Sequence, residues 1–204
     1  LNPGILSVLI AAMFIVLLAT GWKREMMDRV PVSIMVLFII GWLLLHSHSW
    51  MWNGVSVNGS YVLALLAAIG AWMLTGDGAN RLHLLSVSFL IAAVYVFFVQ
   101  LYRTSPVLVL FGHTADLAVL SAVAAMMFCR RALEQWIVLT LGLWIGDALL
   151  SHLWGMSSKP QLGAPGLFDL WWLAFGLARL LSVVAERLYV KYQSRFGRLA
   201  ERKE

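Results

Sequence analysis

ALEQWIVLTLGLWIGDALLSHLW, residues 132–154, is a long apolar run with one carboxylate, Asp147, well inside it. As a helix rising 1.5 Å per residue it reaches roughly 34 Å, enough to cross the hydrocarbon core of a bilayer. The alternative, a transmembrane barrel, calls for alternating strands of about ten residues, whereas this run is unbroken. Residues 132–154 therefore read as a membrane-spanning helix. Asp147, costly in lipid, must face other protein and is by default a functional candidate.

Six further runs of the same character flank it: Pro3 to Trp22, Pro31 to Leu45, Tyr61 to Leu74, Leu82 to Tyr102, Pro106 to Cys129, and Leu167 to Val190. The second and third are short for a core of about 30 Å, so they must recruit Ser47 to Trp50 or Gly59 and Ser60, or lie in thinned bilayer. With 61% hydrophobic and 12% charged residues, the chain holds about half the charge of an average soluble domain. No soluble domain fits between the runs. The fold expected is all-α, a polytopic bundle of seven spans over residues 1–190 followed by a basic tail, 191–204. Pro3 to Trp22 reads as a retained first span, since no basic segment precedes it and its length exceeds that of a signal core.

Basic residues flanking spans stay on the cytoplasmic side. Lys23, Arg24, Arg29, Arg81, Arg130, Arg131, Arg187, Lys191, Arg195, Arg198, Arg202 and Lys203 fall in connections of one parity, and only Arg103 and Lys159 in the other. That places the N-terminus outside and the C-terminus inside. Trp22, Trp50, Trp52, Trp154 and Trp171 fall at expected interfaces, and Trp72, Trp136 and Trp144 deeper between helices.

The last three spans carry the chemistry. On the sixth, Trp136, Thr140, Trp144, Asp147, Ser151 and Trp154 recur at spacings of three and four, hence on one stripe. Asp169, Trp172, Gly176, Arg179, Val183 and Glu186 do the same on the seventh, and His113 and Asp116 lie within a turn on the fifth. A shared polar interface is the economical arrangement. Depths counted from the outer run ends, about 18 Å for Arg179, 15 Å for Asp116 and 10 Å for Asp147, predict an Asp116–Arg179 ion pair with Asp147 and His113 above it. His113, Asp116, Asp147, Ser151, Asp169 and Arg179 thus form the candidate intramembrane cluster. It acts either as structural glue between helices or as an outward-facing cavity that binds a small solute or relays protons. On the fifth span Leu120, Val123 and Met127 continue the polar face as apolar residues, which favours a cavity over a pore. Gly142 and Gly146, with the stripe Ala115, Ala118, Ala122 and Ala125, suit close packing inside the bundle rather than dimerisation.

His46 and His48, with Met51 nearby, are weak candidates for a metal, and interfacial hydrogen bonding is the preferred reading. His83 reads as a cap or interface contact, and Cys129, the only cysteine, as an inert thiol. Arg187, Lys191, Arg195 and Arg198 suit a helix leaving the membrane along an anionic lipid surface. Lysine is absent from the spans, so a retinal-type Schiff base has no candidate, and neither H-E-x-x-H nor G-x-S-x-G occurs. Asp116 and Asp147 could share a proton as an aspartyl hydrolase pair does, but no glycine motif of that type flanks them. No cofactor is implied.

Leu1-Asn2-Pro3-Gly4, the closing Thr20-Gly21-Trp22-Lys23 of the first run, and Gly41-Trp42 in the second resemble the YphA-like membrane proteins of spore-forming bacteria. The resemblance is clearest over the first quarter of the chain. It implies an integral protein of the bacterial cell envelope, and no functional residues come with it. The function expected is non-enzymatic, structural or accessory to a membrane assembly, with lipids and a membrane protein as partners. The alternative is a small-solute or proton-coupled carrier.

Overall fold

Every apolar run contains a helix in the computed structural model. It describes the backbone of residues 2–27, 30–52, 54–154 and 161–200, and the side chains of these except 24, 25, 154, 190 and 192–200. The elements are α1 (Ile5–Ala19), the five-residue α2 (Lys23–Met27), α3 (Val32–Leu45), α4 (Gly59–Leu74), α5 (Gly78–Thr104), α6 (His113–Phe128), α7 (Ala132–Trp154) and α8 (Pro165–Ala200). A 3-10 turn, Pro106–Leu108, precedes α6, and three short strands are β1 (Ser49–Trp52), β2 (Val55–Asn58) and β3 (Gln161–Leu162). Residues Gly78–Thr104, Ala132–Leu153 and Pro165–Tyr189 are long and apolar enough to cross a membrane, while α1, α3, α4 and α6 are shorter apolar helices of 14 to 16 residues. Their outward faces carry Leu9, Leu37, Leu66, Phe97 and Leu180, all well exposed. Such a surface suits lipid and not water.

The fold is all-α, as expected, with three short strands added at one end. Ser47 to Trp50 do not extend the second span, because Ser49 and Trp50 enter a hairpin with Trp52 opposite Val55. The signal was present: Asn53-Gly54 between β-forming Trp50, Met51, Trp52 and Val55, Val57 is a strong two-residue hairpin sequence, and Gly54 has the left-handed φ of 81° such turns need. β3 joins β2 in parallel. Gly59 and Ser60 do join the third span as the start of α4, where Asn58 caps the helix by accepting from the Ser60 amide at 2.8 Å.

Two packing features set the core. α7 lies along α5 at close range because Gly142 and Gly146 face it. A Cβ on Gly142 would fall 2.8 Å from Ile91 Cβ and 2.9 Å from the Ser88 carbonyl oxygen, and one on Gly146 2.5 Å from Tyr95 Cδ1. The glycine pair therefore packs within the bundle, as expected. α6 lies against α8, with Ala118, Ala122 and Ala125 fully buried. The second feature is aromatic. Trp171 meets Trp136, Trp144, Trp172 and Phe38 at centroid distances of 4.9 to 6.3 Å. Trp171 is only 1% exposed, so it is not an interface anchor; α8 starts at Pro165 and places it two turns inside. Trp22, Trp50 and Trp52 are exposed as anchors should be, and the Trp154 side chain lies outside the described residues.

Gly142→Ala is expected to destabilise the bundle by about 2 kcal/mol through overpacking. Gly70→Ala, where nothing lies within 4 Å, should leave thermal unfolding in detergent unchanged or slightly raised.

Candidate functional site

Polar side chains gather at two opposite ends of the bundle. One end holds the starts of α1, α4, α6 and α8 with the strands, and the other the starts of α3, α5 and α7.

At the strand end, each aspartate accepts from backbone N–H groups. Asp169, in the second turn of α8, takes the amides of Gly4 and Ser7, each at 2.7 Å. These belong to the first turn of α1, which has no capping side chain of its own, so α8 supplies the cap from 162 residues away in sequence. A carboxylate there satisfies orphan donors and meets the positive end of the helix dipole. The Ser7 hydroxyl closes the turn on the Gly4 carbonyl at 2.8 Å. Gly4 has φ of 96°, a conformation that favours glycine, and a Cβ on it would stand a tight 3.2 Å from Pro165 Cβ.

Asp147 accepts from the Gly163 amide at 3.1 Å, tying the end of α7 to the β3–α8 turn. Ser151 donates weakly to the Gln161 carbonyl at 3.4 Å nearby. Asp116 accepts from Leu110 at 2.8 Å and Phe111 at 3.1 Å, folding the preceding segment over the start of α6. His113 sets its ring edge-on to Tyr102 at 5.5 Å. Tyr61 and Trp144 are reciprocal: the Tyr61 hydroxyl donates to the Trp144 carbonyl at 3.0 Å and the indole N–H to the Tyr61 carbonyl at 2.8 Å.

At the far end, Arg179 Nη1 donates to Gln135 Oε1 at 3.2 Å. Gln135, fully buried, donates in turn to the Ser182 hydroxyl at 2.8 Å and the Cys129 carbonyl at 2.9 Å. His83 bonds the Phe128 carbonyl at 3.2 Å, joining α5 to α6. Cys129 is buried.

The expected Asp116–Arg179 ion pair does not form. Depth was counted from Pro106, but residues 106–112 are a 3-10 turn and loop, so Asp116 sits in the first turn of α6 while Arg179 reaches the first turn of α7 at the opposite end. The shared seam is also absent: Asp169 and Trp172 face α1, where Trp172 meets Phe14 edge-on at 5.2 Å. Thr140 instead links α7 to α8 by accepting from Trp171 Nε1 at 3.0 Å. Gln135, Ser182, Asn58 and Tyr61 went unread in the sequence because uncharged polar residues carry no depth signal.

The sequence model of a family described as YphA-like integral membrane protein matches residues 3–204. The chain belongs to this family. Among curated proteins and among solved structures, nothing matches it. The whole length, and not only the first quarter, thus carries the YphA-like pattern, and the protein is an integral membrane protein. Among the described residues of this YphA-like chain, no group of three His, Cys, Asp or Glu side chains is placed to hold a metal. His48 Nδ1 turns to the Leu44 carbonyl at 3.1 Å and to Ser47. His46 lies between Trp42 at 4.8 Å and Phe168 at 5.3 Å. Arg187 and Lys191 are exposed on α8, whereas the side chains of Arg195 and Arg198, like Arg29, Lys159, Arg202 and Lys203, lie outside the described residues.

Burial lowers the His46 pKa from 6.5, against a smaller upward pull from the Asp169 charge. The folded state resists a proton that the unfolded chain accepts, so this group's contribution is full above pH 6.5 and falls as pH drops below it toward the folded pKa. Thermal stability should decline on acidification through that window. His46→Phe should flatten the decline relative to wild type, which thermal unfolding across pH 5 to 8 would read.

Proposed function

We propose that this YphA-like protein is a non-enzymatic, seven-span protein of the bacterial inner membrane, structural or accessory to a membrane assembly, with its N-terminus outside and its basic C-terminus in the cytoplasm. Residues 1–190 are read as the embedded domain and 191–204 as a basic tail, into which α8 continues as far as Ala200. At roughly 54 Å, the 36-residue α8 is longer than the bilayer core.

The observation that supports a structural role is the use made of the buried and half-buried carboxylates. Asp116, Asp147 and Asp169 each accept from backbone amides of a loop or terminus. A carrier would aim such groups at a solute path. Here they are aimed at backbone N–H groups instead. The orientation is supported by Lys23, Arg81, Arg130 and Arg131 at the end where α1, α4 and α6 finish.

On this reading, Asp116→Asn, Asp147→Asn and Asp169→Asn each lower membrane abundance and thermal stability, by about 1.5 to 3 kcal/mol per charge-assisted hydrogen bond lost. Uptake abolished with abundance intact would establish the carrier instead. In a Cys129→Ser background, Ser56→Cys should react with a membrane-impermeant maleimide on intact cells, and Arg81→Cys only after permeabilisation. The reverse labelling would invert the topology.

A further inference from the structure

We infer that residues 106–112, the irregular segment between α5 and α6, lie at the boundary between lipid headgroups and acyl chains, with Val107, Leu110 and Phe111 inserted among the chains and Asp116 holding the backbone above them. The partner of this surface is the bilayer itself. The inference rests on the chain being an integral membrane protein and not on which end of the bundle faces outward.

The segment turns apolar side chains outward and keeps its polar backbone paired. Val107 is 93% exposed, Leu110 82% and Phe111 88%, an arrangement unfavourable in water. Irregular backbone is unwelcome near hydrocarbon because its N–H groups go unpaired, and here that objection is largely met. Ser105 donates to the Leu101 carbonyl at 2.8 Å, Leu108 to Ser105 at 3.2 Å and Val109 to Pro106 at 3.3 Å, and Pro106 has no N–H to pair. Leu110 and Phe111 donate to the two carboxylate oxygens of Asp116 at 2.8 and 3.1 Å. Asp116 is only 7% exposed, so its carboxylate serves these amides rather than solvent. The connection between α4 and α5 is built otherwise: Gly76, Asp77 and Gly78 are exposed and carry no apolar side chain.

Level agrees with composition. Arg130 and Arg131, exposed just past α6, mark one headgroup level. The 16 residues of α6 climb about 24 Å from there, roughly 6 Å short of a hydrocarbon core of about 30 Å. The segment that precedes α6 therefore begins at the far edge of the core. Exposed Arg103, in the last turn of α5, places the same boundary from the other side of the segment. Val119, Val123 and Met127, spaced by four on α6 and exposed, form an apolar stripe that the segment extends.

The test is nitroxide scanning of the full chain in lipid nanodiscs, in a Cys129→Ser background, read by collision with oxygen, which partitions into acyl chains, and with a water-soluble nickel complex. At Val107→Cys, Leu110→Cys and Phe111→Cys, oxygen collisions should outnumber nickel collisions, as at outward-facing Phe97→Cys and opposite to Asp77→Cys. Adding Asp116→Ala should move the label at Leu110→Cys toward nickel and leave that at Phe97→Cys unchanged; if that variant does not fold, the scan with Asp116 in place decides. Nickel collisions in excess at Val107, Leu110 and Phe111 would place the segment in water and overturn the proposal. Few collisions with either reagent would show a protein partner or a second copy covering it, and would overturn it too. An unchanged ratio at Leu110 in folded Asp116→Ala would remove Asp116 from the account. Oxygen in excess at Phe97→Cys keeps a failure of this inference distinct from a failure of the membrane reading.

Discussion

A helix that begins where water is scarce leaves its first amides without partners, and the structure depends on how that constraint is met. For α1 the answer is Asp169, which takes the Gly4 and Ser7 amides. The contact joins the start of the first helix to the start of the last. Each bond is charge-assisted and short, in surroundings where the alternative is an unsatisfied donor. Asp147 and Asp116 apply the same chemistry to the turn before α8 and to the segment before α6.

These bonds explain how the three aspartates are accommodated inside an apolar chain. A carboxylate that accepts two amides at a helix start is stabilised by oriented dipoles rather than by a cation. Arg179 lies at the other end of the bundle, where it donates to Gln135. Between the two polar ends the bundle is held by shape. Gly142 and Gly146 bring α7 onto α5, and the Trp171 cluster fills the space between α7, α8 and α3.

The sequence disclosed the helices because unbroken apolar length is a one-dimensional property. The limits of residues 132–154 match α7 to the residue. It failed for Asp116 because hydropathy does not distinguish the irregular 106–112 segment from the helix that follows, and the resulting seven-residue error in depth was enough to invent an ion pair. The stripe on α8 was correctly phased, but periodicity says which residues share a face and not which neighbour that face meets. α1, far away in sequence, was the neighbour. The β1–β2 hairpin has a signal in the Asn53-Gly54 pair of the sequence, which a search for unbroken apolar runs passes over.

The account stands or falls on the Asp169 cap, and hydrogen–deuterium exchange of the amides of residues 4–7 tests it most directly. In the wild type these amides should be strongly protected, and in Asp169→Ala they should exchange far faster while the α5–α7 interface keeps its protection. Rapid exchange in the wild type, or equal protection in both proteins, would contradict it.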